Sequence, residues 1–146
     1  KGYDYPAVML EIDSSGTSVR EKFVDRIFDN HHHGVVLSDG YLYGSNWETN
    51  KKGKWVCMKW DTGEIMYESE WDTKGTTVMA DGMLYCYNER GNVGLVKPDP
   101  SGFQVVSQFR IRKGSGPHWA HPAISDDGKL LLRHGDVLMV YDIRAS

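Results

Sequence analysis

His33-Gly34-Val35-Val36-Leu37-Ser38-Asp39-Gly40-Tyr41-Leu42-Tyr43 returns twice further along the chain. The later copies are Gly75-Thr76-Thr77-Val78-Met79-Ala80-Asp81-Gly82-Met83-Leu84-Tyr85 and His121-Pro122-Ala123-Ile124-Ser125-Asp126-Asp127-Gly128-Lys129-Leu130-Leu131. Each copy is an apolar run, a turn and a second apolar run. Asp-Gly between two β-prone segments predicts a hairpin, because the turn needs positive φ and glycine accepts it without a steric penalty. The turn glycines Gly40, Gly82 and Gly128 stand 42 and 46 residues apart. That interval matches the roughly 40–50 residues of a four-stranded propeller blade.

Between the turns the text fills in alike. After Asp39-Gly40 the pattern predicts strands at Tyr41–Trp47, Lys54–Trp60 and Ile65–Trp71, with turns at Asn50-Lys51-Lys52-Gly53 and Asp61-Thr62-Gly63-Glu64. The next unit predicts Thr76–Ala80, Met83–Asn88, Val93–Lys97 and Phe103–Ile111. Its prolines Pro98 and Pro100 fall in a turn, where they interrupt no ladder. The last unit predicts Pro122–Ser125, Lys129–Arg133 and Val137–Tyr141, and the first predicts only a pair, Ala7–Ile12 and Thr17–Asp25. The expected fold is all-β: a β-propeller fragment of about three four-stranded antiparallel blades with partial blades at both ends. Residues 1–146 form one partial domain, with units at about 1–29, 30–71, 72–112 and 118–146. Closed propellers have roughly four to eight blades. Remaining blades, from this protein or from other copies, are therefore expected partners.

The totals narrow the function. A net charge of −3 and a pI near 6.1, with Lys and Arg scattered, provide no basic face for nucleic acid. No apolar run approaches the roughly 18 residues of a membrane span, and Lys1-Gly2-Tyr3-Asp4-Tyr5-Pro6 does not read as a signal peptide. Cys57 and Cys86 form neither a metal-binding spacing nor a disulfide framework, and they read as small core residues.

The Asp61-Thr62-Gly63-Glu64 unit resembles the quinoprotein-like, or pyrroloquinoline-quinone-like, β-propeller repeats. Their docking signature runs Ala-x-Asp-x-x-Thr-Gly-x-x-x-Trp. Cys57, Lys59, Thr62, Gly63 and Tyr67 occupy those places, so only Thr62 and Gly63 match, and elsewhere only Ser15-Gly16 and Ser101-Gly102 remain. Asn30-His31-His32-His33-Gly34-Val35-Val36, Gly114-Ser115-Gly116-Pro117-His118-Trp119-Ala120-His121-Pro122 and Leu132-Arg133-His134-Gly135-Asp136 are similar to the C-terminal part of a bacterial subfamily of secreted or periplasmic propellers. The resemblance implies that location. It also implies one of two kinds of protein: a dehydrogenase holding pyrroloquinoline quinone and calcium, or a cofactor-free scaffold like the propeller subunit of the outer-membrane β-barrel assembly machinery.

Aligned on the turn glycine, His33 and His121 share one register, Trp119 matches His31, and His118 matches Asn30. The strand entering the turn lies nearest a propeller's axis. His31, His32, His33, His118, Trp119 and His121 are therefore expected to ring one mouth of the central channel as a ligand-binding cluster. His33 and His121 are the candidate metal ligands, since neutral imidazole suits Zn, Cu or Ni, although no neighbouring spacing calls for a metal. Arg133 and Asp136 are the candidates for holding a quinone. Trp47, Trp55, Trp60, Trp71 and Tyr67 read as packing between blades. The expected function is non-catalytic binding of a small polar ligand at the channel mouth or of a partner protein, with no cofactor. Its alternatives are a quinone-dependent alcohol or sugar dehydrogenase using calcium, and a structural scaffold within a larger assembly.

Overall fold

The computed structural model describes residues 6–144. The reading of Lys1 to Tyr5 and the end of the final unit at Ala145-Ser146 lie outside them. The described chain is all-β, with thirteen strands in four antiparallel sheets of two to four strands, none closed into a barrel. The first sheet pairs β1 (Ala7–Ile12) with β2 (Val19–Asp25). The second runs β3 (Val36–Ser38), β4 (Tyr41–Ser45), β5 (Trp55–Lys59), β6 (Ile65–Ser69), and the third β7 (Gly75–Ala80), β8 (Met83–Asn88), β9 (Asn92–Lys97), β10 (Gln104–Arg110). The fourth is β11 (Ala123–Ser125), β12 (Lys129–His134) and β13 (Val137–Asp142). Within each sheet consecutive strands are neighbours, as in propeller blades.

The turns follow the chemistry read from the sequence, with one difference. Asp39 and Gly40 have φ of 47° and 81°, and Asp81 and Gly82 have 49° and 72°. These are two-residue loops with both centres in the left-handed region, closing on Ser38↔Tyr41 and Ala80↔Met83. In the fourth sheet Ser125 pairs with Lys129, so three residues form the loop, and only Gly128 turns left-handed, at 74°. The extra residue moves β11 by one place against the turn glycine. Counted along paired strands, His32, Lys74 and Trp119 are equivalent, and Gly34, Thr76 and His121 are equivalent. The glycine-anchored match of His33 with His121, and of Trp119 with His31, is corrected accordingly.

The core lies between sheets. Tyr43, Trp55 and Cys57 of the second sheet pack with Leu84, Cys86 and Val96 of the third, with Tyr67, Trp71 and Phe103 alongside. Tyr87, Val93 and Ile111 meet Leu130 and Leu132 of the fourth, while Phe28, Val56 and Met58 meet Phe23 of the first. Burial pushes the Cys57 thiol up to about 11 and that of Cys86 to about 12, so both remain protonated packing groups. At the inner edge β7 touches both β3 and β11. The three strands entering the turns therefore converge, and the loops that lead into them share one end.

A repeated polar residue holds those loops. Asn46, Asn88 and His134 occupy the same place after the turn, all buried. Asn46 Nδ2 donates to Ile27 O at 3.0 Å, and Asn88 Nδ2 to Asp72 Oδ2 at 3.1 Å. His134 places its two ring nitrogens 2.7 Å from the carbonyls of Lys113 and Gly116. Each ties the connection preceding its sheet to the end of that sheet's second strand.

Candidate functional site

The loop 30–35 is pinned before it presents its histidines. Asn30 Oδ1 accepts from His33 N at 3.0 Å, and Asn30 Nδ2 donates to Ser45 O at 2.9 Å. Between sheets, Gly34 N donates to Thr76 Oγ1 at 3.4 Å, and that hydroxyl lies 3.2 Å from His121 Nδ1. His121 Nε2 stands 2.9 Å from His32 O. A carbonyl only accepts, so Nε2 carries the proton and Nδ1 accepts from Thr76. The chain of bonds joins equivalent positions of three sheets. It also uses both nitrogens of His121, which makes His121 a brace for the His32 backbone.

A cleft of about 320 Å³ opens beside this brace, lined by His31, His32, Trp47, Asn50, Lys74, Glu89 and Trp119. His32 is its hub: its ring lies 4.9 Å from His31, 4.1 Å from His33 and 5.6 Å from Trp119, and His31 lies 5.8 Å from Trp47. Grooves of about 370 and 400 Å³ lie elsewhere, near Asp29 and Glu48 and near Val8 and Trp60, but neither gathers imidazoles. Burial, reinforced by His33 and His31, holds His32 down at about 4. It is a neutral ring at pH 7.

The cleft floor is an ion pair. Lys74, with its side chain 1% exposed, donates from Nζ to Glu89 Oε2 at 2.8 Å and to the carbonyls of Thr49 and Asn50 at 3.1 Å each. Three protons thus meet three acceptors. Burial alone would raise the Glu89 carboxyl, but His33 and Lys74 outweigh it and hold it below the usual carboxylate range. Glu89 Oε1 faces His33 Nε2 at 3.5 Å and His32 Nε2 at 3.8 Å.

The sequence-predicted residues divide. His31, His32, His33, Trp119 and His121 come together here. His118 does not join them: its ring stacks on His134 at 3.5 Å, and its Nδ1 meets the Tyr87 hydroxyl at 2.5 Å, at the boundary of the third and fourth sheets. Trp55, Trp71 and Tyr67 pack between sheets as expected, whereas Trp47 lines the cleft. Lys74 and Glu89 escaped the sequence reading although a signal was present. Lys74 stands eight before Gly82 as His32 does before Gly40, and Glu89 stands seven after Gly82 as Trp47 does after Gly40.

Arg133 and Asp136 are exposed at the β12–β13 end and do not line the cleft; Arg133 Nε donates to Gly135 O at 2.9 Å. A calcium ion takes six to eight oxygen ligands, and the cleft offers imidazoles with one carboxylate. These residues do not fit a quinone–calcium centre.

The His118 pair yields a prediction. Burial first, then His134 and Arg110, lowers His118 to about 4. The unfolded chain therefore binds its proton at higher pH than the folded chain does. Stability from this group is full above about pH 6.5 and is lost as pH falls toward 4. Urea unfolding from pH 8 to 4 is expected to show that loss, and a His118→Phe variant, which keeps the stacking, is expected to show less of it. An unchanged pH profile in the variant would remove His118 as a source.

No family model matches the chain, and no curated protein matches it. Fold and site together define the class: a propeller-type array of antiparallel blades with a histidine- and tryptophan-lined cleft where its inner strands converge.

Proposed function

We propose that the chain is a binding module whose cleft takes a small polar ligand with one flat apolar face. The observation that carries this reading is the pairing of indoles Trp47 and Trp119 with imidazoles His31 and His32 around one concavity. Ring faces stack on apolar surface, while ring nitrogens supply directed hydrogen bonds. Lys74 adds no free donor, since its three protons are engaged within the protein. The ligand is therefore held by rings rather than by a charge clamp. The quinoprotein-like resemblance supports the reading insofar as it includes cofactor-free scaffolds, and it supports a periplasmic or secreted setting.

A second surface supports the expected partnership with further blades. Leu138 and Val140 on β13 are 61% and 58% exposed, and Leu10 and Ile12 on β1 are 56% and 65% exposed, although these alternating positions are the kind that neighbouring sheets bury in the centre of the chain.

The test is NMR of the full chain labelled at tryptophan and histidine, titrated with a panel of monosaccharides and aromatic carboxylates. A binding member is expected to shift the Trp47, Trp119, His31 and His32 signals together, and Trp119→Ala is expected to weaken it about tenfold or more, in line with loss of a central aromatic anchor. Shifts confined to other tryptophans, or binding unaltered by Trp119→Ala, would contradict the proposal.

A further inference from the structure

We infer that His32, His33 and Glu89 form a three-ligand site for a divalent transition-metal ion of the zinc type. The inference rests on the same cleft as the ligand reading but requires no organic ligand.

The ligand atoms of these three residues lie within 4.8 Å of one another. Glu89 Oε1 is 3.5 Å from His33 Nε2 and 3.8 Å from His32 Nε2. Two atoms bound tetrahedrally to zinc at about 2.0–2.1 Å stand roughly 3.3–3.5 Å apart. The two Glu89 spacings therefore suit one ion after movements of tenths of an ångström, and the two imidazole nitrogens, within 4.8 Å of each other, have to close to the same spacing.

His33 provides an independent pointer. Its side chain is 1% exposed, yet among the described residues Nδ1 has no hydrogen-bond partner and Nε2 has only the loose 3.5 Å approach of Glu89 Oε1. A buried polar ring without a well-formed hydrogen bond calls for an explanation, and an ion between Nε2 and Glu89 Oε1 supplies one for Nε2. The donor set agrees, because two imidazoles and one carboxylate favour zinc-type ions over calcium or magnesium.

The surroundings hold the ligands in place. Lys74 occupies Glu89 Oε2, leaving Oε1 for a single bond. His121 bonds the His32 carbonyl, and Asn30 bonds the His33 amide. Such outer contacts orient metal ligands. The Lys74 ammonium repels a cation, so affinity is expected to be below that of a site with the same ligands and no lysine. His32 and Glu89 line the cleft while His33 lies behind them, so the ion's open side faces the cleft.

The test is titration of the metal-stripped full chain with Zn²⁺ by calorimetry, and with Co²⁺ by visible absorption. One equivalent is expected to bind, with the intense bands of low-coordinate Co²⁺ and with shifts of the His32 and His33 imidazole signals. His32→Ala removes a ring at the cleft wall that is 34% exposed and belongs to no core cluster, and Glu89→Gln preserves an acceptor for Lys74, so both are expected to stay folded by circular dichroism. Each is expected to weaken binding by about tenfold or more. His118→Ala, outside the cleft, is expected to bind as the parent does. Absence of binding by the folded chain, or binding unchanged in His32→Ala and Glu89→Gln, would overturn the site. So would loss of binding in His118→Ala. Because the monosaccharide and carboxylate titrations run without metal, failure of one reading is distinguishable from failure of the other.

Discussion

Replacing Trp55 by alanine is expected to cost about 3–5 kcal/mol of stability, the range for removing a buried large aromatic. Trp55 is 1% exposed and sits where the second and third sheets meet. Its ring lies 5.4 Å from Phe103 in a stacked arrangement and 5.6 Å from Trp71. Its Nε1 donates to Thr73 O at 3.0 Å, in the connection that leads to Lys74 and β7. The substitution therefore opens a cavity and also leaves the carbonyl of Thr73 without that donor. Trp55→Phe keeps most of the volume and loses the bond, so a smaller loss is expected, nearer the roughly 1–3 kcal/mol of an unsatisfied buried group. Urea unfolding of the two variants checks this. Equal small losses would mean that the interface between the sheets does not carry the fold.

The second large effect falls at the cleft floor. Glu89→Ala in the presence of a chelator is expected to destabilise the chain by about 3 kcal/mol, toward the low end for breaking a buried ion pair. Lys74 is left with two carbonyl acceptors and no counter-charge. The double variant Lys74→Met with Glu89→Ala removes the stranded cation and is expected to recover much of the loss. A buried pair replaced by apolar groups is often close to neutral, whereas a half pair is costly. If the double variant is as unstable as the sum of the two single variants, the pair is not coupled as described.

Much of the architecture was legible because it rests on local rules. Asp39-Gly40 and Asp81-Gly82 can form two-residue turns whatever surrounds them, and alternating apolar residues on either side place the strands. Strand ends were less legible. Trp47 and Trp71 continue an apolar pattern past the last ladder bond, and one of them turns into the cleft. The third turn misled for a physical reason: Asp126-Asp127-Gly128 contains the same dipeptide but closes a three-residue loop. That extra residue shifts everything before it by one place, so His121 pairs with Thr76 instead of repeating His33.

The site was legible in part. Consecutive histidines at the entrance to an inner strand marked the mouth of the array, and Trp119 came with them. His118 was assigned by register alone, but the 113–117 connection carries it to His134, a contact between side chains far apart in sequence. Lys74 and Glu89 read as ordinary charged residues flanking strands. Their meaning depends on burial, which no local pattern states.

Loops from three sheets meet at one cleft, and the most direct test of that convergence is a proton NOE experiment on the full chain with labelled tryptophan and histidine. A cross-peak is expected between the Trp119 indole and the His32 imidazole, whose ring centres lie 5.6 Å apart, together with contacts of His118 to His134 and none to His32. A Trp119 indole that shows no contact with His32, or a His118 that contacts His32, would contradict it.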